Sequence, residues 1–148
     1  MIKNSIKILS IYFFLMTNLY SEIITNVDIT GNQRISKSTI LVLGNITLGD
    51  DFDDNKVNQS LKKLYESNFF KEINIKLKDG VVKIAVTENP IIESIVFSGV
   101  KSNEFEKKIA ESIVLKNRMS FTEDQLQRDI ILIENILKSN GYYFSKVD

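Results

Sequence analysis

The 148-residue chain contains no cysteine, no histidine and no tryptophan. Those absences exclude thiol nucleophiles, imidazole general bases, zinc sites built on Cys and His, and disulfides. A chain without stray thiols also fits an oxidising compartment. No excess of either charge is present: 19 Lys and Arg balance 19 Asp and Glu. Without the first 21 residues, which carry Lys3 and Lys7 and no acid, 17 basic side chains face 19 acidic ones, a net charge of about −2. Such a balance argues against a nucleic-acid binder driven by phosphate contacts. There is one proline, Pro90. It lacks an N–H and biases the residue before it away from helix, so it marks a break in any ladder it meets.

What is present is the composition of a globular protein, 43% hydrophobic and 26% charged, with room for one ordinary domain or two small ones. Met1 to Ser21 reads as a secretory signal. Lys3 and Lys7 supply its positive start, and Ile8 to Tyr20 is apolar except for Ser10, Thr17 and Asn18. In helix that run spans roughly 20 Å, short of the ~30 Å hydrocarbon layer. An uncleaved anchor and a buried element of the fold are the alternatives. A signal places the mature chain outside the cytoplasm.

Residues 22–90 form a first module. Ile23, Val27 and Ile29 share one face of a strand, since side chains alternate with period two. Gly31-Asn32 ends that strand in a turn. Ser36 caps a short helix through Ile40, Leu41 and Leu43, closed by Gly44-Asn45. Asp53 or Asp54 caps a second helix, whose Val57, Leu61, Leu64 and Tyr65 recur at helical spacing as a buried stripe. After Ser67-Asn68, a strand points Ile73, Ile75 and Leu77 inward, with Lys71, Asn74, Lys76 and Lys78 toward water or at its ends. Asp79-Gly80 signals a two-residue hairpin. The returning strand Val81–Val86 is the most continuously apolar and belongs in the middle of the sheet. Its lysine-studded partner suits an edge. Strand, helix, helix, strand, strand is a two-layer α+β unit with both helices on one sheet face.

Residues 91–148 begin a second copy. Ile91-Ile92-Glu93-Ser94-Ile95-Val96-Phe97-Ser98-Gly99 repeats the apolar pattern and closing glycine of Ile23-Ile24-Thr25-Asn26-Val27-Asp28-Ile29-Thr30-Gly31. Ser102 or Asn103 caps a helix carrying Phe105, Ile109 and Ile113. Thr122-Glu123-Asp124-Gln125 has the form of a capping box. Leu126, Ile130, Ile133 and Leu137 make the next stripe, widened by Ile131, Leu132 and Ile136. Ser139-Asn140-Gly141 stops that helix, and Tyr142-Tyr143-Phe144 is expected to start a strand. The module then lacks most of one strand and all of another. Its second helix has no complete sheet to cover, so the natural polypeptide is expected to continue.

Catalytic and metal chemistry find little support. Asp51, Asp53 and Asn55 match the first half of a calcium loop, but Lys56 stands where glycine is needed and Lys62 where a bidentate glutamate is needed. A capped, solvated helix start is the better reading of Asp50, Asp51, Asp53 and Asp54. Glu88 and Glu93 flank the joint at Pro90 and are placed to pair with a nearby Arg or Lys. No nucleophile elbow, phosphate loop or dinucleotide pattern occurs. The expectation is a protein that is not an enzyme and takes no cofactor.

The whole chain after residue 22 resembles tandem polypeptide-transport-associated (POTRA) domains. The likeness rests on Ile29-Thr30-Gly31-Asn32-Gln33-Arg34-Ile35, Leu64-Tyr65-Glu66-Ser67-Asn68-Phe69-Phe70-Lys71-Glu72-Ile73, Val86 to Gly99 around Pro90, and Asn140-Gly141-Tyr142-Tyr143. Two positions depart from the family pattern: Asn68 replaces a usual glycine, and Gly99-Val100 a usual Gly-Asn. The resemblance implies β-α-α-β-β modules, each a three-stranded mixed sheet covered by two helices on one face, the second incomplete here. It implies a periplasmic segment attached to the outer membrane through a C-terminal barrel beyond this chain. Its partners would be unfolded outer-membrane β-barrel precursors and accessory lipoproteins. An extended peptide adds to an open sheet edge with little demand on sequence, and the candidate edge is Ile73, Asn74, Ile75, Lys76 and Leu77. Alternatives within the family are a two-partner secretion or autotransporter assembly pore, and a division-type periplasmic scaffold. The internal repeat, about 68 residues from Gly31 to Gly99, argues against the last.

Overall fold

The structure, a computed structural model, describes residues 22–147; the expected secretory signal lies outside them. In chain order, β1 (Glu22–Ile23) and β2 (Asn26–Thr30) lead to helix α1 (Lys37–Gly44). β3 (Asp51–Phe52), helix α2 (Asp54–Glu66) and the long strands β4 (Phe70–Lys78) and β5 (Val81–Glu88) follow. Helices α3 (Asn103–Ser112) and α4 (Glu123–Ser139) belong to the second copy.

The sheet is mixed, in the order β2-β5-β4, with β5 parallel to β2 and antiparallel to β4. The apolar strand is therefore central and the lysine-rich one lies at a border. Val82, Ile84 and Val86 of β5 and Ile29 of β2 are buried against Ile40 of α1 and Leu64 of α2. The other sheet face exposes Lys83, Ala85 and Thr87. Both helices thus cover one face. Each starts at the expected cap: Ser36 accepts from the Thr39 N–H, and Asp53 from the Lys56 N–H. Asn45 and Asn68 take left-handed φ values of 52° and 59° where the helices stop, a conformation asparagine tolerates.

One expected strand divides in two. Ile23 is 58% exposed, whereas Ile24 is 1% exposed and in the core. β1 pairs with β3, and β2 pairs with β5. The change of partner at Ile24-Thr25 resets the period-two alternation, since side-chain parity holds only along an unbroken strand.

The second copy repeats the hydrogen bonds of the first. In the first, the Ile24 N–H reaches the Asp50 carbonyl and the Gly49 N–H reaches the Ile24 carbonyl. In the second, Ile92 bonds Met119 and Arg118 bonds Ile92 in the same sense. Arg118, at φ 68°, stands where the first copy has Gly49 at φ 87°. A non-glycine residue there costs about 1 kcal/mol. Arg118→Gly, which leaves the backbone bond intact, should raise stability by roughly 0.5–1 kcal/mol, read as a higher urea midpoint.

Three expectations for the second copy do not hold. Tyr142-Tyr143-Phe144 forms turns, not a strand. Tyr142 stacks on Phe105 at 5.8 Å between ring centroids, and Phe144 is fully exposed. A strand exists only with a neighbour to bond, and the described residues include no counterpart of β5. For the same reason residues 93–98 keep the alternating burial of β2 without being a strand. Ile131 and Leu132 do not widen a buried stripe: they are exposed, lying beside the face that carries Ile133 and Leu137. Finally, only half of the capping box forms. The Thr122 hydroxyl accepts from the Gln125 N–H, but the Gln125 side chain donates to Asp129 rather than back to Thr122.

Candidate functional site

The expected edge residues Ile73, Asn74, Ile75, Lys76 and Leu77 lie together on β4, the nine-residue strand at the sheet border. Its hairpin to β5 is closed by Asp79 and Gly80, both at positive φ (52° and 74°), the geometry of a tight two-residue turn. In such a hairpin the closing pair, Lys78 with Val81, exchanges both backbone hydrogen bonds. Bonded pairs then recur every second residue, at Lys76–Lys83 and Asn74–Ala85. The N–H and C=O groups of Ile73, Ile75 and Leu77 therefore point away from β5, along the free edge. The side chains of those three residues turn toward the helices and are half-buried, while Asn74 and Lys76 face solvent on the opposite side.

Beside this edge runs a groove of about 790 Å³, lined among others by Phe52, Val57, Ile75 and Leu77. Glu22, Asp53 and Asp54 also line it, so a strand added to β4 would place alternate side chains over a groove of mixed character and the others beside Lys76 and Lys78. The site thus suits a segment of alternating character.

At its N-terminal end the edge is closed. The Ile73 N–H donates to the Tyr65 hydroxyl at 3.2 Å. Helical spacing puts Tyr65 in the buried stripe of α2; it is instead 45% exposed, and its hydroxyl occupies one outward backbone donor. Nothing in the spacing of α2 distinguishes this from core packing, because the partner lies on another element. One residue further back, a register shift between Phe70 and Glu72 interrupts the ladder with β5, and such bulges also end pairing.

The joint is anchored by Glu88. Its carboxylate accepts from the backbone N–H groups of Gln33, Arg34 and Ile35. It also pairs with the Arg34 guanidinium at 3.1 Å, and its side chain is only 7% exposed. Arg34 reaches on to the Asn89 carbonyl at 2.6 Å. The expected Glu–Arg pairing is therefore present at Glu88. Burial by itself would raise the Glu88 pKa; donation from Ile35, Gln33 and Arg34 and the Arg34 charge outweigh it, and the pKa lies below the ordinary 4.5. In the acidic cluster, Asp53 caps α2 and Asp50 lies 3.7 Å from Lys56, the geometry of a helix start. In the second copy Asp129 plays a comparable structural part, accepting from the Val114 and Leu115 N–H groups.

The profile of the POTRA family, described as a surface antigen variable number repeat, matches residues 22–89 and again 90–148. The chain belongs to the POTRA family. Among curated proteins it is 28% identical over 88 residues to the outer membrane protein assembly factor BamA of Neorickettsia risticii (strain Illinois), covering 60% of this chain and 12% of that protein. It is 28% identical over 109 residues to BamA of Neisseria meningitidis serogroup B, covering 72% of this chain and 14% of that protein. The chain thus spans about one-eighth of the length of these relatives. Among solved structures, the N-terminal domain of Omp85 from Thermosynechococcus elongatus superposes with a TM-score of 0.61 at 16% identity, over 87% of this chain and 56% of that one. POTRA1-3 of Omp85 from Anabaena gives 0.57 at 11% identity, over 85% and 54%. The tandem POTRA fold is common to these structures.

Proposed function

We propose that this chain is the periplasmic POTRA segment of an outer-membrane protein assembly factor. In this reading it receives unfolded outer-membrane proteins by strand addition at β4 and docks accessory lipoproteins, and a membrane barrel outside this chain carries out insertion. The assembly-factor part rests on two POTRA repeats and on relatives that bear that name. One observation carries the receptor part: a nine-residue border strand with outward backbone groups open at Ile75 and Leu77, beside a groove with Phe52, Val57, Ile75 and Leu77 in its mixed lining. Barrel strands alternate apolar and polar residues, the pattern that such an edge and groove accept. Main-chain bonding lets many sequences bind alike, as a general receptor requires.

The test is photo-crosslinking in cells, with the reactive residue at Asn74 or Lys76 of the parent protein. Capture of unfolded barrel precursors at these sites, and weaker capture from Asp28 on the far border strand, is the expected result. Equal or absent capture at the β4 sites would refute the receptor role.

A further inference from the structure

The charges around β4 specify more than an open edge. On the solvent face of the sheet, one cross-strand row runs Asp28 on β2, Lys83 on β5 and Lys76 on β4. It ends on a positive charge at the free border, with Lys78 two residues further along β4. Lys76 and Lys83 stand directly opposite each other, an arrangement that repels. None of Lys76, Lys78 and Lys83 is in an ion pair among the described residues. Lysines on an edge keep out strands of neutral or positive character; a strand with carboxylates in the same rows relieves the repulsion. The other side of such a strand meets the groove, where Phe52, Val57, Ile75 and Leu77 offer apolar contact and Glu22, Asp53 and Asp54 would repel acids, so acidic side chains are favoured only on the lysine side. The Tyr65 hydroxyl on the Ile73 N–H stops the ladder at that end, leaving the outward groups of Ile75 and Leu77 as the open rungs.

Resting on the strand-addition reading above, we propose that this edge is selective: it takes a short segment alternating apolar and acidic residues, with the acids over Lys76 and Lys78 and the register limited by Tyr65. The partner's chemistry is thus an acidic, amphipathic β-segment rather than any extended chain.

Three synthetic peptides with the same apolar residues, and Glu, Ser or Lys at the alternate positions, test this by amide shift perturbation on the isotope-labelled chain. The Glu peptide should bind about tenfold more tightly than the Lys peptide, the sum expected of two or three exposed cross-strand charge pairs. The difference should shrink as salt rises. Perturbations should centre on the Ile75 and Leu77 amides and reach Ile73 only in Tyr65→Phe. The variant K76E/K78E, altered on the exposed face alone, should reverse the preference, with circular dichroism confirming its fold. Equal binding of all three peptides at Ile75 and Leu77 would overturn the selectivity and leave strand addition standing. No binding of any peptide at these amides would overturn both.

Discussion

Gly31→Ala should cost more than about 3 kcal/mol and leave the first module largely unfolded under mild denaturant. Two effects combine. Gly31 sits at φ 84°, where an alanine is disfavoured by about 1–2 kcal/mol. A Cβ built there would also stand 2.0 Å from the Val86 carbonyl oxygen. That oxygen is backbone of the central strand and has no rotamer to yield, so β2 and β5 would have to separate. Gly99 provides the control. It too has φ 84°, but no counterpart of β5 stands beside it among the described residues, and nothing lies within 4 Å of its Cβ position in this chain. Gly99→Ala should therefore show only the conformational part, about 1 kcal/mol. Urea unfolding of the two variants separates the effects; equal losses would refute the close-approach argument.

Glu88→Ala should cost about 2–4 kcal/mol, because it removes one carboxylate that satisfies three backbone donors and the Arg34 guanidinium. The effect depends on pH, and its direction follows from the lowered pKa. A group whose folded pKa lies below its ordinary 4.5 adds stability above that value. The contribution is lost as pH falls through the folded pKa. Wild type and Glu88→Gln should accordingly differ most at pH 7 and converge as pH falls through the folded pKa, which lies below the ordinary 4.5. Urea midpoints at pH 7 and at low pH measure this, and a constant difference would show that the charge itself contributes nothing. Because Glu88 ties the β2–α1 loop to the last residue of β5, loss of its carboxylate should also loosen Asn89, whose carbonyl Arg34 holds.

The two residues differ in how visible their roles are along the chain. Gly31 announces a turn from its neighbours alone: it follows an alternating strand and precedes Asn32. That the turn must also pass against Val86 is a contact between residues 55 positions apart, and no local pattern records it. The position of Glu88 beside the Pro90 joint points to a basic partner, but the three N–H groups it gathers depend on the loop conformation at Gln33 to Ile35. The candidate edge divides likewise. The lysines of β4 and the Asp79-Gly80 turn indicate a border strand in a defined hairpin. Which backbone groups it leaves open follows from the hairpin register, but that Tyr65 already holds one of them emerges only when α2 packs beside it.

By itself the sequence determined the four helices and the hairpin, the caps Ser36 and Thr122, the repeated module and the central place of Val81–Val86. Periodicity, capping and turn chemistry act over a few residues, so they are written in adjacent letters. Only the tertiary structure decided that Ile24 rather than Ile23 enters the core, and that Tyr142 packs on Phe105 instead of extending as a strand. Both outcomes turn on which strand is available as a partner. Pairing of that kind joins residues far apart in the chain, and where no partner stands beside a β-like segment, its backbone has nothing to bond and its alternating pattern remains without a sheet.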